Sequence, residues 1–270
     1  MTVLLNTLNT EQQSRGRGVR EAARPTGAAR TGGARPRLDD CLVSLTAPGS
    51  LEAELYRSLR HRMERLRSDT GLAVLGVTSA ALGDGKTTTA INLAGALAQA
   101  ATSRVLLIDA DLHRPAVGRR LGLDNNAPGL VRGAVDSRLE LSVLVRHCSP
   151  YNLSVLLGGR CTNHRYEVLN SPRVGELLGE ARRQYDFVVV DLPPVLVLPD
   201  CGLVTQWVDG FLLVVAAHKT PRKLLEDALE SLEPAKVVGL VFNGDDRPLS
   251  GYYSYYQAYG SSRGNGKSSR

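Results

Sequence analysis

The chain has 270 residues and a mass of 29.1 kDa, enough for one large domain or two small ones, and its 43% hydrophobic and 22% charged residues are typical of a globular protein. Its net charge of +6 lies at the ends, because residues 1–38 hold seven arginines and two glutamates and residues 248–270 hold three bases and no acid. A nucleic-acid-binding face on the slightly acidic middle is therefore excluded, and the basic ends suit a membrane surface, an acidic partner or plain solvation.

The sequence contains no signal for insertion into a membrane or for export. No apolar run approaches the roughly 18 residues of a membrane-spanning helix, and the first residues lack the order of a secretory signal. Four cysteines lie far apart, without CxxC pairs or metal-ligand spacing. We therefore expect a cytoplasmic chain that does not cross a membrane by itself.

Taken in chain order, the first predicted segment is a disordered basic arm over residues 1–40. Its central part is rich in Arg, Gly, Ala and Pro and has almost no large apolar side chain to bury. A helix follows, because apolar residues recur in steps of three and four from Leu51 to Leu66, and Ser50 is a suitable N-cap.

The chain then alternates between short apolar runs and helical patterns. Strands are predicted at 72–79, 104–110, 152–159, 186–192, 210–217 and 236–243, and helices at 86–100, 173–184, 200–207 and 222–233. The runs are continuously apolar, as in strands that are buried on both faces. The pattern predicts an α/β fold, a doubly wound and mostly parallel sheet with helices on both faces. We expect one domain over residues 41–247 and a flexible tail over 248–270.

A phosphate-binding loop is predicted between the first strand and the next helix, where the sequence reads TSAALGDGKTTTA. Backbone N–H groups of a Gly-rich turn and the positive end of a helix can point at phosphate oxygens there. The generic pattern GxxxxGK[ST] is met except at its first glycine, which is Ala80. The candidate nucleotide-binding residues are Gly83, Asp84, Gly85, Lys86, Thr87 and Thr88.

Acidic residues stand at the ends of two other predicted strands. Asp109 and Asp111 end the second strand, in LLIDADLHRP, and Asp191 ends another, in DFVVVDLPP. The carboxyl ends of parallel strands open onto the ligand crevice, although each Asp taken alone could be a structural cap. Together with Thr87 they suit Mg²⁺.

In this order, the phosphate loop, the two acidic motifs and a terminal GYYSYYQAYG resemble the bacterial tyrosine kinases that control capsule and exopolysaccharide synthesis. The resemblance covers roughly residues 45–260 and implies a P-loop fold that uses ATP and Mg²⁺ to phosphorylate its own tyrosines. It implies Lys86, Asp109 and Asp111 as catalytic residues and Thr87, Asp109 and Asp191 as metal ligands. The implied acceptors are Tyr252, Tyr253, Tyr255, Tyr256 and Tyr259. The sequence does not distinguish which aspartate is the base, and a buried aromatic strand is the structural alternative for the tyrosines.

The resemblance also implies partners. Glu54, Arg57 and Arg60 form an ExxRxxR pattern similar to the one that joins neighbouring subunits in a ring, and the alternative is a surface ion pair on one helix. Since no spanning helix is present, the chain resembles the form that works with a separate transmembrane activator of polysaccharide polymerisation at the inner face of the membrane. A cognate tyrosine phosphatase is the other implied partner.

Two features depart from the kinase pattern. Leu192 follows Asp191 where a small hydroxyl residue is usual, and the expected Pro-Asn-Pro is absent near CTNHRYEVLNSP. The nearest alternative is a switch ATPase of the ParA or MinD type, but the lysine that precedes the P-loop lysine by five residues in those proteins is Ala81 here. A nucleotide-binding scaffold without catalysis is a third hypothesis.

Overall fold

The structure, a computed structural model, describes residues 2–4, 38–124, 126–160, 165–197 and 206–245. The strands are β1 (Thr2–Leu4), β2 (Val74–Ser79), β3 (Val105–Asp109), β4 (Arg146–His147), β5 (Leu153–Leu156), β6 (Phe187–Asp191), β7 (Gly210–Ala216) and β8 (Val237–Asn243). They form one sheet in the order β1-β8-β7-β2-β6-β3-β5-β4, which is parallel from β8 to β5 and antiparallel at both edges.

The helices cover both faces of this sheet. They are α1 (Val43–Thr46), α2 (Leu51–Thr70), α3 (Lys86–Ala98), α4 (Val117–Arg120), α5 (Leu130–Val135), α6 (Leu141–Leu144), α7 (Arg165–Leu169), α8 (Pro172–Gln184) and α9 (Arg222–Glu230). A 3₁₀ turn at Pro234–Lys236 precedes β8. None of the described helices is both long and apolar enough to span a bilayer.

Alternation of side chains along the strands creates two hydrophobic cores. In β6, Val189 packs into the core beneath α2 and α3, whereas Val188 and Val190 pack into the core beneath α5, α8 and α9. Every residue of β2, β3, β6 and β7 is buried, as continuous apolar runs predict for strands covered on both faces. The predicted doubly wound, mostly parallel sheet is confirmed.

The predicted elements agree with the structure within a few residues. Helix α2 begins after Ser50, whose hydroxyl accepts a hydrogen bond from the Ala53 N–H at 3.1 Å, and ends at Gly71, whose φ is +77°. The short helices α1, α4, α5, α6 and α7 and the edge strand β4 were not predicted, because two to six residues contain too little periodicity. Residues 2–4, assigned to the basic arm, instead pair with β8. Residues 5–37, the tail from 246 onward and most of the predicted helix at 200–207 lie outside the described residues.

A segment ahead of α2 is held against α3 by one buried amide. The Asn92 side chain accepts a hydrogen bond from the Ser44 N–H at 2.9 Å and donates to the carbonyl oxygens of Cys41 at 2.9 Å and Thr88 at 3.0 Å. Asn92 is fully buried. It therefore satisfies backbone groups of two elements that water cannot reach.

We expect Asn92→Ala to lower the free energy of unfolding by about 1–3 kcal/mol, because it leaves buried backbone groups without partners. Urea unfolding followed by circular dichroism measures the change. Asn170→Ala, at an exposed position, is the matched control and should stay within about 0.5 kcal/mol of the wild type. Equal losses in both variants would contradict this role of Asn92.

Candidate functional site

The predicted phosphate loop lies between β2 and α3 and is shaped by two glycines. Gly83 and Gly85 have φ values of +88° and +95°, in the left-handed region that disfavours other residues. A Cβ atom on Gly85 would lie 1.9 Å from the amide nitrogen of Asn243. Since Gly85 immediately precedes α3, the loop brings backbone N–H groups to the positive end of that helix.

The Asp84 side chain holds this loop in place. One carboxylate oxygen accepts a hydrogen bond from the Ala81 N–H at 2.9 Å, and the other accepts from the Thr220 hydroxyl at 2.7 Å. The Asn243 amide also donates to the Asp84 carbonyl oxygen at 3.1 Å. Asp84 was predicted to bind the nucleotide, but its buried carboxylate is engaged within the protein, so only its backbone remains available for phosphate.

Lys86 and the three predicted aspartates converge at the carboxyl end of the sheet. The Lys86 ammonium lies 2.6 Å from Asp111 Oδ2 and 4.0 Å from Asp191 Oδ1. Asp109 and Asp191 pair in register on the adjacent strands β3 and β6. Asp109 Oδ2 accepts hydrogen bonds from the N–H groups of Ala116 at 3.0 Å and Val117 at 3.1 Å. The cluster thus contains three carboxylates and one ammonium, and the ammonium lies within 4.0 Å of two of them.

Burial of this cluster shifts its pKa values. Burial, reinforced by the Asp191 carboxylate, raises the pKa of Asp109 to about 8. Burial also raises the pKa of Asp191 to about 6, although the Lys86 charge opposes it. For Lys86, burial lowers the pKa, but the carboxylates of Asp191 and Asp111 outweigh it and the net pKa is raised. The site therefore favours an added positive charge or a retained proton.

The residues fit a divalent cation that is completed by phosphate oxygens. Asp109 Oδ1 and both carboxylate oxygens of Asp191 are buried and lack a hydrogen bond of normal geometry from the described residues, although the Thr87 hydroxyl and the Lys86 ammonium both stabilise the Asp191 carboxylate. Among those same residues, no three acidic, His or Cys side chains are grouped closely enough to hold a metal alone. Mg²⁺ commonly binds through one or two carboxylates and substrate phosphates. The assignment of Thr87, Asp109 and Asp191 as metal ligands stays a prediction.

Sequence reasoning missed Arg120, which borders the phosphate loop. Its guanidinium donates to the Thr88 hydroxyl at 2.5 Å and lies 3.7 Å from both the Asp39 carboxylate and the Cys41 sulfur. Arg120 lies in the four-residue helix α4, 32 positions from Thr88, so no local pattern indicated the contact. Thr220 and Asn243 were missed for the same reason, because they reach Asp84 from the turn after β7 and from the end of β8.

The ExxRxxR residues lie on α2, away from this cluster. Glu54 and Arg57 form an ion pair with each other. Arg60 pairs with Glu64 at 2.7 Å and donates to the Ala96 carbonyl oxygen of α3 at 3.2 Å. The surface-pair alternative therefore describes the contacts within one chain, and the role of this motif between subunits stays a prediction. The five tail tyrosines lie outside the described residues.

We expect Thr220→Val to loosen the phosphate loop, because the buried Asp84 carboxylate loses its hydroxyl donor. The free energy of unfolding should fall by about 1–3 kcal/mol, and affinity for a fluorescent ATP analogue should weaken. Thr70→Val is the control, since that exposed hydroxyl donates only within α2 and its loss should change stability by less than about 0.5 kcal/mol. If Thr220→Val kept wild-type affinity and stability, the hydrogen bond from Thr220 to Asp84 would not be what holds the phosphate loop in place.

The raised pKa of Asp109 predicts a pH dependence for the protein free of metal and nucleotide. The usual Asp pKa is about 3.9, so between about pH 4 and pH 8 the folded state binds more protons than the unfolded state. The free energy of unfolding should therefore fall as pH rises through this range. Asp109→Asn should remove most of the slope in urea titrations at several pH values, and Asp69→Asn, at an exposed position, should not. A slope unchanged by Asp109→Asn would contradict the shift.

Known proteins resemble the chain over most of its length. Residues 74–217 match a family model described as an AAA domain. Tyrosine-protein kinase YwqD of Bacillus subtilis is 34% identical over 222 residues, which cover 82% of this chain and 92% of that protein. Succinoglycan biosynthesis transport protein ExoP of Rhizobium meliloti is 31% identical over 78% of this chain, but the match spans only 27% of ExoP.

A solved structure carries the same fold. The kinase domain of Escherichia coli tyrosine kinase ETK superposes with a TM-score of 0.70 at 29% identity, covering 75% of this chain and 79% of that one. The phosphate loop, the buried aspartates and the parallel sheet thus occur together in a chain that is similar to YwqD over nearly all of YwqD's length. The chain belongs to the bacterial tyrosine-protein kinase family, whose P-loop nucleotide-binding fold it shares.

Proposed function

We propose that the chain is an ATP- and Mg²⁺-dependent protein-tyrosine kinase that phosphorylates its own C-terminal tyrosines. The observation that supports this most strongly is the buried cluster of Lys86 and three aspartates beside the phosphate loop. The chain also belongs to the bacterial tyrosine-protein kinase family. The proposed acceptors are Tyr252, Tyr253, Tyr255, Tyr256 and Tyr259.

The nucleotide phosphates would bind in the turn formed by Gly83 and Gly85, with the Lys86 ammonium neutralising their charge. Thr87, Asp109 and Asp191 would hold Mg²⁺, which supplies charge stabilisation for the transferring phosphoryl group. Asp109 Oδ1 and the two Asp191 oxygens suit that role better than the oxygens of Asp111, which are held by Lys86 and by the Arg114 N–H.

Asp111 is the better candidate for the general base. In the structure its Oδ2 is held by Lys86 and its Oδ1 accepts the Arg114 N–H at 3.0 Å. When Lys86 turns toward phosphate, Asp111 Oδ2 is freed to accept the proton of a tyrosine hydroxyl. The phenol oxygen forms the new bond to the γ-phosphorus, the bond to the leaving ADP oxygen breaks, and the proton goes to Asp111.

The cellular role follows from the relatives. ExoP is named a succinoglycan biosynthesis transport protein, and we infer that this chain regulates polymerisation or export of a polysaccharide. We propose that it acts in the cytoplasm, at the membrane, through a separate transmembrane activator, with a tyrosine phosphatase reversing its modification. Glu54, Arg57 and Arg60 on α2 would join subunits in a ring, which would require these ion pairs to exchange partners.

We expect Lys86→Ala to reduce tyrosine phosphorylation at least 100-fold, because the charge that neutralises the transferring phosphate is lost. Mass spectrometry of the purified chain after incubation with ATP, Mg²⁺ and the cytoplasmic segment of the candidate activator maps the phosphates. Lys223→Ala is the control, since that exposed lysine pairs only with residues of α9. ATP turnover with unmodified tyrosines in the wild type would favour a switch ATPase instead.

A further inference from the structure

A cavity of about 470 Å³ opens beside the carboxyl end of β5. Its walls come from the loop before α5, from α5 itself and from the turn after β5. We call it the arginine groove and define it by Asn126, Pro128, Val131, Arg132, Val135 and Arg160. Its lining includes two guanidinium groups and no acidic side chain.

The groove lies close to the acidic cluster. The N–H groups of Leu130 and Val131 donate to the carbonyl oxygens of Leu157 at 2.7 Å and Gly158 at 3.0 Å, which fixes α5 to the turn after β5. A Cβ atom on Gly158 would lie 3.1 Å from the carbonyl oxygen of Asp109. One layer of backbone therefore separates the groove wall from the end of β3.

The arginine groove and the contacts that hold the phosphate loop lie on opposite sides of the site. Thr220 and Asn243, which hold the phosphate loop, follow β7 and end β8, whereas the groove adjoins β5. In the sheet order, β7 and β8 lie on one side of β2, and β6, β3 and β5 lie on the other. A group bound in the groove would therefore approach the site from the side of the acidic cluster.

The groove offers both apolar surface and surplus positive charge. Val135 is 73% exposed, so its methyl groups are accessible to a group bound in the groove. Arg132 shares the Asp136 carboxylate with Arg138, so one carboxylate faces two guanidinium groups. Arg160 is exposed and has no ion-pair partner among the described residues. Arginine binds phosphate through paired N–H donors, and the valines suit an aromatic ring.

We propose that the arginine groove binds a phosphotyrosine of this protein's own C-terminal tail. This rests on the proposed function, which supplies the phosphate. The unmodified tail from 248 to 270 has three basic residues and no acid, so the two groove arginines repel it. Each phosphate adds about −1.5 to −2 charges, so two of them cancel the positive charge of the tail or make it slightly negative. The groove therefore distinguishes the modified tail from the unmodified one.

The test uses the full chain, treated with phosphatase and kept free of ATP. A fluorescent synthetic peptide covering residues 248–270, phosphorylated at Tyr255 and Tyr256, is titrated and followed by anisotropy. It should bind at least tenfold more tightly than the unmodified peptide and more tightly than one with phosphoserine at both positions. ADP with Mg²⁺ at saturation should not displace it.

Two variants locate the binding site. Arg160→Ala removes a charged donor and Val135→Asp adds a repelling charge, and each should weaken phosphopeptide binding about tenfold or more. Both positions are exposed, so the fold should survive. Arg146→Ala is the matched control, because this exposed arginine lies on β4 outside the groove and its loss makes the same change in net charge.

The proposal would be overturned if the modified and unmodified peptides bound equally, or if the phosphoserine peptide bound as tightly as the phosphotyrosine peptide. It would also be overturned if ADP displaced the peptide, or if Arg160→Ala and Arg146→Ala weakened binding equally. Because the phosphates are introduced chemically, the result does not depend on kinase activity. A chain that binds the phosphopeptide but leaves its own tyrosines unmodified would disprove the proposed function while the groove stands. A chain that phosphorylates its tail but does not bind the phosphopeptide as expected would support the proposed function and disprove the proposal for the groove.

Discussion

Three carboxylates and one lysine are buried together at the carboxyl end of the sheet, and the surrounding structure has to compensate their charges. Taking charged groups out of water is costly unless partners compensate them, and here Lys86 approaches only two of the three, Asp111 at 2.6 Å and Asp191 at 4.0 Å. Asp109 relies on two backbone N–H groups and a raised pKa instead. An arrangement this unfavourable for the protein alone is explained if a cation and anionic phosphates complete it.

The scaffold keeps this cluster together from both sides. Strands β3 and β6 place Asp109 and Asp191 side by side, and two hydrophobic cores hold those strands between helices. The phosphate loop cannot move away from the cluster, because Asp84 ties it to Thr220 and Asn243 ties it to β8. The phosphate loop, the acidic strand ends and the arginine groove thus all lie at the carboxyl end of the sheet. The phosphoryl donor and its acceptor can meet there.

The features that could be predicted from the sequence are those that depend on residues close together in the chain. The continuous apolar runs indicated strands covered on both faces, and the glycines beside Lys86 indicated the phosphate loop, because both depend on neighbouring residues. The contacts of Asp84 with Thr220 and Asn243 span 136 and 159 positions, and no pattern in one sequence encodes such pairs. The sequence therefore indicated only that Asp84 belongs to the phosphate loop, and the bonds of its carboxylate to Ala81 and Thr220 could not be predicted. Short elements such as α4 were also missed, and Arg120 with them.

A kinase and a switch ATPase differ in where the γ-phosphoryl group of ATP goes, and at this site we expect it to arrive on tyrosine and not on water. The most direct measurement follows ATP labelled in its γ-phosphate and compares, at early times, the label on protein tyrosine with the label released as inorganic phosphate. We expect each ADP formed to be matched by one phosphotyrosine, until the acceptors are used up. Label that appears as inorganic phosphate from the start, with the tyrosines unmodified, would instead indicate an ATPase.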